Sequence, residues 1–194
     1  ALDLMASLGY TPQSRFTKSQ MVAYLAAHNE ISFVTEEKKV TVELQWEIAP
    51  RYLGFPVAHL HLWDHDLVKS KSGFLFPPSE QLLMMLCAHG AKDFWTQLKW
   101  ICDVAQLLWV NTDLDWKKVM ELAFSSGGRR MLFLGLLLAK ELLDAPVPDE
   151  VMKEIGGDAT AERLAREIEE GLFQKSNGSA GIWRSSLFYL KVKE

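Results

Sequence analysis

The feature that most constrains the fold is a change of hydrophobic period along the chain. Val40, Val42, Leu44, Trp46 and Ile48 alternate with Thr41, Glu43, Gln45 and Glu47, which predicts a strand ended by Pro50. Ile31 to Thr35 reads as a shorter strand, joined to the first through the polar Glu36-Glu37-Lys38 turn as a hairpin. After the Pro77-Pro78 break the period turns helical and stays so. A hairpin followed by a run of helices is an α+β arrangement, with the strands as the remnant of a small mixed sheet and the helices as a bundle. The expected division is a sheet part over residues 1–50, a loop-rich connection over 51–78 and a helical domain over 79–194.

Glu80 to Leu108 reads as two amphipathic helices. Leu82, Met85, Leu86 and His89 share one face of the first; Leu98, Ile101, Cys102, Ala105 and Leu108 share one face of the second. Ser79 is the expected cap of the first helix and Asp113 that of the DWKKVMELAF helix. Arg129 to Leu143 is apolar on most sides and is expected at the centre of the bundle. A short helix closing at Gly156-Gly157 and a charged helix capped by Asp158 follow it. Nearer the start, residues 1–8 read as the end of a helix closing at Gly9, and Tyr10 to Gln13 as a Pro-containing loop. Ser19 to Asn29 fits either a short helix or an irregular segment. The chain opens without an initiator Met and ends in LFYLKVKE without a stop signal, so it reads as a fragment of a longer protein.

Charge and composition narrow the function. A net charge of −4 argues against a general nucleic-acid-binding surface, while leaving room for a local basic pocket. Met131 to Ala139, the longest apolar run, falls far short of the roughly 20 residues that cross a membrane. Cys87 and Cys102 both fall on apolar faces as two buried thiols, which suits a reducing cytoplasm.

Several residues are able to carry chemistry. Glu43 is a carboxylate on the polar face of a strand. His89, Lys92, Lys99 and Asp103 punctuate the two helices, although Lys99 and Asp103 also have the spacing of an ordinary surface ion pair. His59, His61, Asp64, His65 and Asp66 form a cluster in which the His-x-His pair alternates onto one side, as two metal ligands require. A metal-dependent hydrolase built on His59 and His61 is therefore one alternative. Gly127-Gly128-Arg129-Arg130 reads as a turn with two solvated arginines, or else as a phosphate-binding helix start.

A wider pattern joins these residues. His89-Gly90-Ala91-Lys92, Trp95, Leu98-Lys99-Trp100 and Asp103-Val104-Ala105 resemble the signature of a family of mostly uncharacterised bacterial nucleotidyltransferases, distant relatives of the polymerase-β-type enzymes. Val42, Glu43, Leu44 and Trp46 match the family's strand motif, with Gln45 in place of its usual His; Asp93 likewise stands where the family often has a second His. The resemblance implies transfer of a nucleoside monophosphate from a nucleoside triphosphate to an acceptor, with Mg2+ or Mn2+ held by three carboxylates. Glu43 corresponds to the third of these; the other two sit on an Asp-x-Asp strand after a Gly-Ser turn, expected upstream of Ala1. His89, Lys92, Lys99 and Asp103 then serve the triphosphate and the acceptor. Without the upstream motifs the fragment itself is expected to be inactive. The rival from another class is a non-catalytic helical interaction module.

Overall fold

The computed structural model describes residues 1–35, 40–48, 67–173, 188, 191 and 192. The chain divides into two compact units, 1–54 and 55–194.

The first unit begins with α1 (Leu2–Ser7), which stops where the sequence says it should. Gly9 adopts φ 81°, and its N–H donates to the Ala6 carbonyl while that of Tyr10 donates to Met5. This is a Schellman ending, and glycine suits it because no Cβ opposes the left-handed backbone. Tyr10 to Gln13 is not all loop: Thr11–Pro12 forms β1, an edge strand where proline's missing N–H does no harm. Between Ser19 and Asn29 the helical alternative prevails, as α2 (Lys18–Ala27). Thr17 and Gln20 form a reciprocal capping box at its start, which fixes the helix even though it buries no residue completely.

β2 (Glu30–Val34) and β3 (Thr41–Gln45) make the expected hairpin, and β1 extends it into an antiparallel sheet of order β1-β2-β3. Ile31 pairs with Leu44 and Phe33 with Val42, so these four share one face. Met5, Tyr10, Phe16, Met21 and Tyr24 pack against that face. Glu30, Ser32 and Glu43 therefore lie on the opposite face. β3 stops short of the predicted Ile48. The carbonyl of Asn29, a residue only 3% exposed, takes the N–H groups of both Trp46 and Glu47, and its side chain donates to the Glu47 carbonyl. Those bonds fold the backbone out of the ladder.

In the second unit the stretch expected to be loop-rich contains a small hairpin, β4 (Val68–Lys69) and β5 (Leu75–Phe76). The helices follow as α3 (Ser79–Lys92), α4 (Leu98–Val110), α5 (Trp116–Ser125), α6 (Arg129–Leu143), α7 (Asp149–Ile155) and α8 (Ala159–Phe173). α6 is the central helix, buried continuously from Met131 to Ala139 and in contact with α3, α4, α5 and α8. No described helix is long and apolar enough to cross a membrane.

The deep faces differ from those expected. In α3 the buried residues are Leu83, Met84, Cys87, Ala88, Gly90 and Ala91, while Leu82, Met85, Leu86 and His89 are half-buried. α4 buries Trp100, Ile101, Val104, Ala105, Leu107 and Leu108, leaving Leu98 and Cys102 exposed. Of the two cysteines only Cys87 is buried; burial pushes its thiol far above the ordinary range and leaves it a small hydrophobe. Two caps also shift. Pro78 precedes α3, and the Ser79 hydroxyl donates to Asn111 at 2.8 Å. Asp115, not Asp113, caps α5 by accepting from the Lys118 N–H. Asp158 caps α8 as expected, taking the N–H groups of Thr160 and Ala161.

Candidate functional site

Glu43 occupies the middle of β3, exposed, opposite Ser32 and on the face turned away from the core. Alternation puts it there: Val42 and Leu44 take the covered face, which leaves the carboxylate the open one. Among the described residues no three His, Cys, Asp or Glu side chains gather to hold a metal ion. Glu43 supplies one carboxylate, whereas Mg2+ takes six ligands and Ca2+-like cations more. The described residues thus do not make up a metal site by themselves. His59, His61, Asp64, His65 and Asp66 lie outside the described residues.

The second set gathers where α3 ends and α4 begins. His89 Nε2 lies 3.7 Å from Asp93 Oδ2, and Lys92 Nζ lies 4.0 Å from the same oxygen. Asp93 thus sits between two basic side chains. The His89 ring meets the edge of Trp100 with centroids 5.9 Å apart, and Lys99 Nζ stands 5.5 Å from the Trp100 ring centre. His89, Lys92 and Lys99 are brought together around Asp93 and the largely buried Trp100. Asp103 is exposed one turn further along α4, and no ion pair joins it to Lys99. The simple surface-pair reading of those two residues fails. Trp100 belongs to the sequence pattern without a role of its own there, and its position next to Lys99 is the signal that points to it.

The turn between the helices explains other parts of the signature. Phe94 donates to the Ala91 carbonyl and Trp95 to that of Gly90, at 3.2 and 2.8 Å, so α3 also closes with a Schellman ending. Here the left-handed residues are aromatic, with φ 57° at Phe94 and 51° at Trp95. Such a conformation costs a bulky residue about 1–2 kcal/mol. Trp95 is completely buried, and its ring lies over Gly90 and Gly135. The spacing of Gly90 and Trp95 is that of a helix end and the ring folded back upon it. A methyl on Gly90 would fall 2.5–2.6 Å from three ring carbons. Gly90→Ala is therefore expected to destabilise the protein by about 1–3 kcal/mol through overpacking, despite alanine's better helix propensity. Urea denaturation checks this; a neutral effect would mean that the Trp95 ring moves freely.

The two arginines after Gly128 are not simply solvated. Arg130 Nε bonds Asp158 Oδ2 at 2.9 Å, and its Nη1 donates to the Lys191 carbonyl at 2.6 Å. Arg129 lies over the rings of Phe124 and Phe133. A cleft of about 410 Å³ opens beside them, with Glu154 and Asp158 also in its lining. Those carboxylates offset the arginine charges, and Asp158 already occupies the first N–H groups of α8, so the phosphate-binding alternative gains nothing here.

Comparison with curated proteins and with solved structures gives no match in either set. A family model does match, over residues 1–144, a span that contains Glu43, the α3–α4 junction and all of α6. The chain belongs to the family described as uncharacterised nucleotidyltransferase.

Proposed function

We propose that the protein transfers a nucleoside monophosphate from a nucleoside triphosphate to an acceptor, with Mg2+ or Mn2+ as cofactor. The observation that carries this reading is the gathering of His89, Lys92 and Lys99 at one helix junction whose turn is fixed by packing. Lys92 and Lys99 supply the positive charge a triphosphate needs, with Asp93 offsetting part of that of Lys92, and the packed turn holds their backbone in place. In the reaction the acceptor forms a bond to the α-phosphorus and the bond to the β-phosphate oxygen breaks, releasing pyrophosphate. Lys92 and Lys99 are assigned to the β- and γ-phosphates; His89 and Asp103 are assigned to orienting the acceptor. Glu43 is assigned as one metal ligand, the remaining ligands lying beyond the described residues. A reducing cytoplasm is the proposed compartment, on the two unpaired cysteines.

The test uses the longest chain the gene encodes, read first for Gly-Ser and Asp-x-Asp motifs upstream of Ala1. Glu43 is exposed, so Glu43→Gln should change stability by no more than about 0.5 kcal/mol. Incorporation of label from an α-labelled triphosphate, with Mg2+ or Mn2+ present, should disappear in that variant. Undiminished transfer would remove Glu43 from the site, and no transfer by the unaltered chain under any nucleotide would favour the non-catalytic module.

A further inference from the structure

Among the described residues three helices finish in the same hydrogen-bonding pattern, and one of them breaks the usual choice of residue. α1 and α5 place Gly9 and Gly127 at the left-handed position, with φ 81° and 63°. α3 places Phe94 there. Its neighbour Trp95 is locked from within the core by Gly90 and Gly135. Phe94 is met from the other end of the chain: its ring and that of Phe188 pack edge to face, centroids 5.2 Å apart at 69°. Phe188 is 8% exposed and Val192, four residues further, is fully buried. Between them the Lys191 carbonyl accepts from Arg130, which is itself tied to Asp158. All three C-terminal residues lie beyond the part of the chain that matches the family, 1–144.

We propose that Phe188 is a positioning residue, bracing the left-handed turn at Phe94 and thereby fixing Lys92 and Asp93 on one side of the turn relative to Lys99 and Trp100 on the other. An aromatic residue abandons that backbone conformation unless its surroundings hold it, and the Phe188 ring is one of the contacts that meet Phe94 there. Arg130 anchors the brace, so that the C-terminal residues are held at both the turn and the start of α6. The consequence for phosphate binding rests on the function proposed above. The brace itself is a matter of conformation and is measurable without any activity.

Hydrogen exchange on the whole chain reads it through the Trp95 amide, which donates to Gly90. Phe188→Ala should speed exchange at Phe94 and Trp95 roughly tenfold, while amides at the centre of α6 keep their protection. Phe94→Gly removes the same ring contact but frees the left-handed backbone of its cost at position 94, while Trp95 stays held by the core, so Trp95 should keep its protection. Equal loosening in both variants would show ordinary packing and overturn the proposal. Unchanged exchange in Phe188→Ala would overturn it too. Should that variant fail to fold, Phe188→Leu serves in the same comparison, with a smaller loosening expected at the turn only; loosening spread evenly through α3, α4 and α6 would overturn the proposal. These results stand or fall separately from the assay with labelled triphosphate.

Discussion

Trp95→Ala is expected to destabilise the second unit by about 3–5 kcal/mol, a loss comparable with much of a domain's total stability. The ring is completely buried and touches the backbone of two helices at Gly90 and Gly135, with the Cys87 sulfur also at Gly135. Neither glycine has a side chain able to swing into the space left behind, so the cavity would stay largely unfilled. With a urea slope of roughly 2 kcal/mol per M, the midpoint should fall by about 2 M. Trp95→Phe makes an informative companion. The indole Nε1 is buried and meets no hydrogen-bond partner among the described residues, and such a group costs about 1–3 kcal/mol. Phenylalanine removes that group while keeping most of the apolar volume. Its cost should therefore fall well below that of alanine. Equal midpoints for the two variants would show that ring volume is not what holds the turn.

Asp158→Ala is the second large effect, at about 3 kcal/mol. The variant loses the cap of α8, worth about 1 kcal/mol, and takes the Asp158 carboxylate from the Arg130 guanidinium, whose side chain is 17% exposed. The pH dependence carries a sign. Burial pushes the Asp158 carboxyl up, but the Ala161 N–H, the Arg130 guanidinium and the Thr160 N–H outweigh it and hold the group below its ordinary value. The folded state therefore binds this proton more weakly than the unfolded state does. The stabilisation is complete above the ordinary carboxylate value and is lost as pH falls through the depressed one. Denaturation of wild type and variant should show a wide gap at neutral pH that narrows in acid. A gap independent of pH would assign the loss to packing instead of charge.

The alternation in Val40 to Ile48 and the continuous apolar character of α6 were legible because each is a local pattern set by one period. Glu43 was legible for the same reason: the strand face it occupies follows from its neighbours. The buried face of α3 was not. Leu82 to Cys87 is apolar throughout, so the sequence offers several stripes, and contact with α6 at Cys87 and Gly135 selects one of them. α2 has its start signal in Thr17 and Gln20, but its sparse apolar stripe left the helix as one of two readings of Ser19 to Asn29. The shift of the α5 cap from Asp113 to Asp115 is a choice between two suitable residues in one short segment. At the candidate site, the nearness of His89 to Asp93 follows from helical spacing. The left-handed turn does not, because no local preference puts Phe94 and Trp95 there; it depends on two glycines and on a phenylalanine from the far end of the chain.

Among the described residues β1 and β3 are the two margins of the first unit's sheet, and they are unequal as surfaces for adding a further strand. β1 is two residues long and half of it is Pro12, so that margin has little to offer an incoming backbone. β3 presents five residues, and at its midpoint stands the exposed carboxylate of Glu43. A second copy of β3 aligned antiparallel about that midpoint would set Glu43 against Glu43, a like-charge pair that disfavours the match. The same carboxylate favours a neighbour that brings a positive charge or a cation. A strand added at this margin would thus meet a choice by charge at Glu43, independently of any chemistry that residue performs.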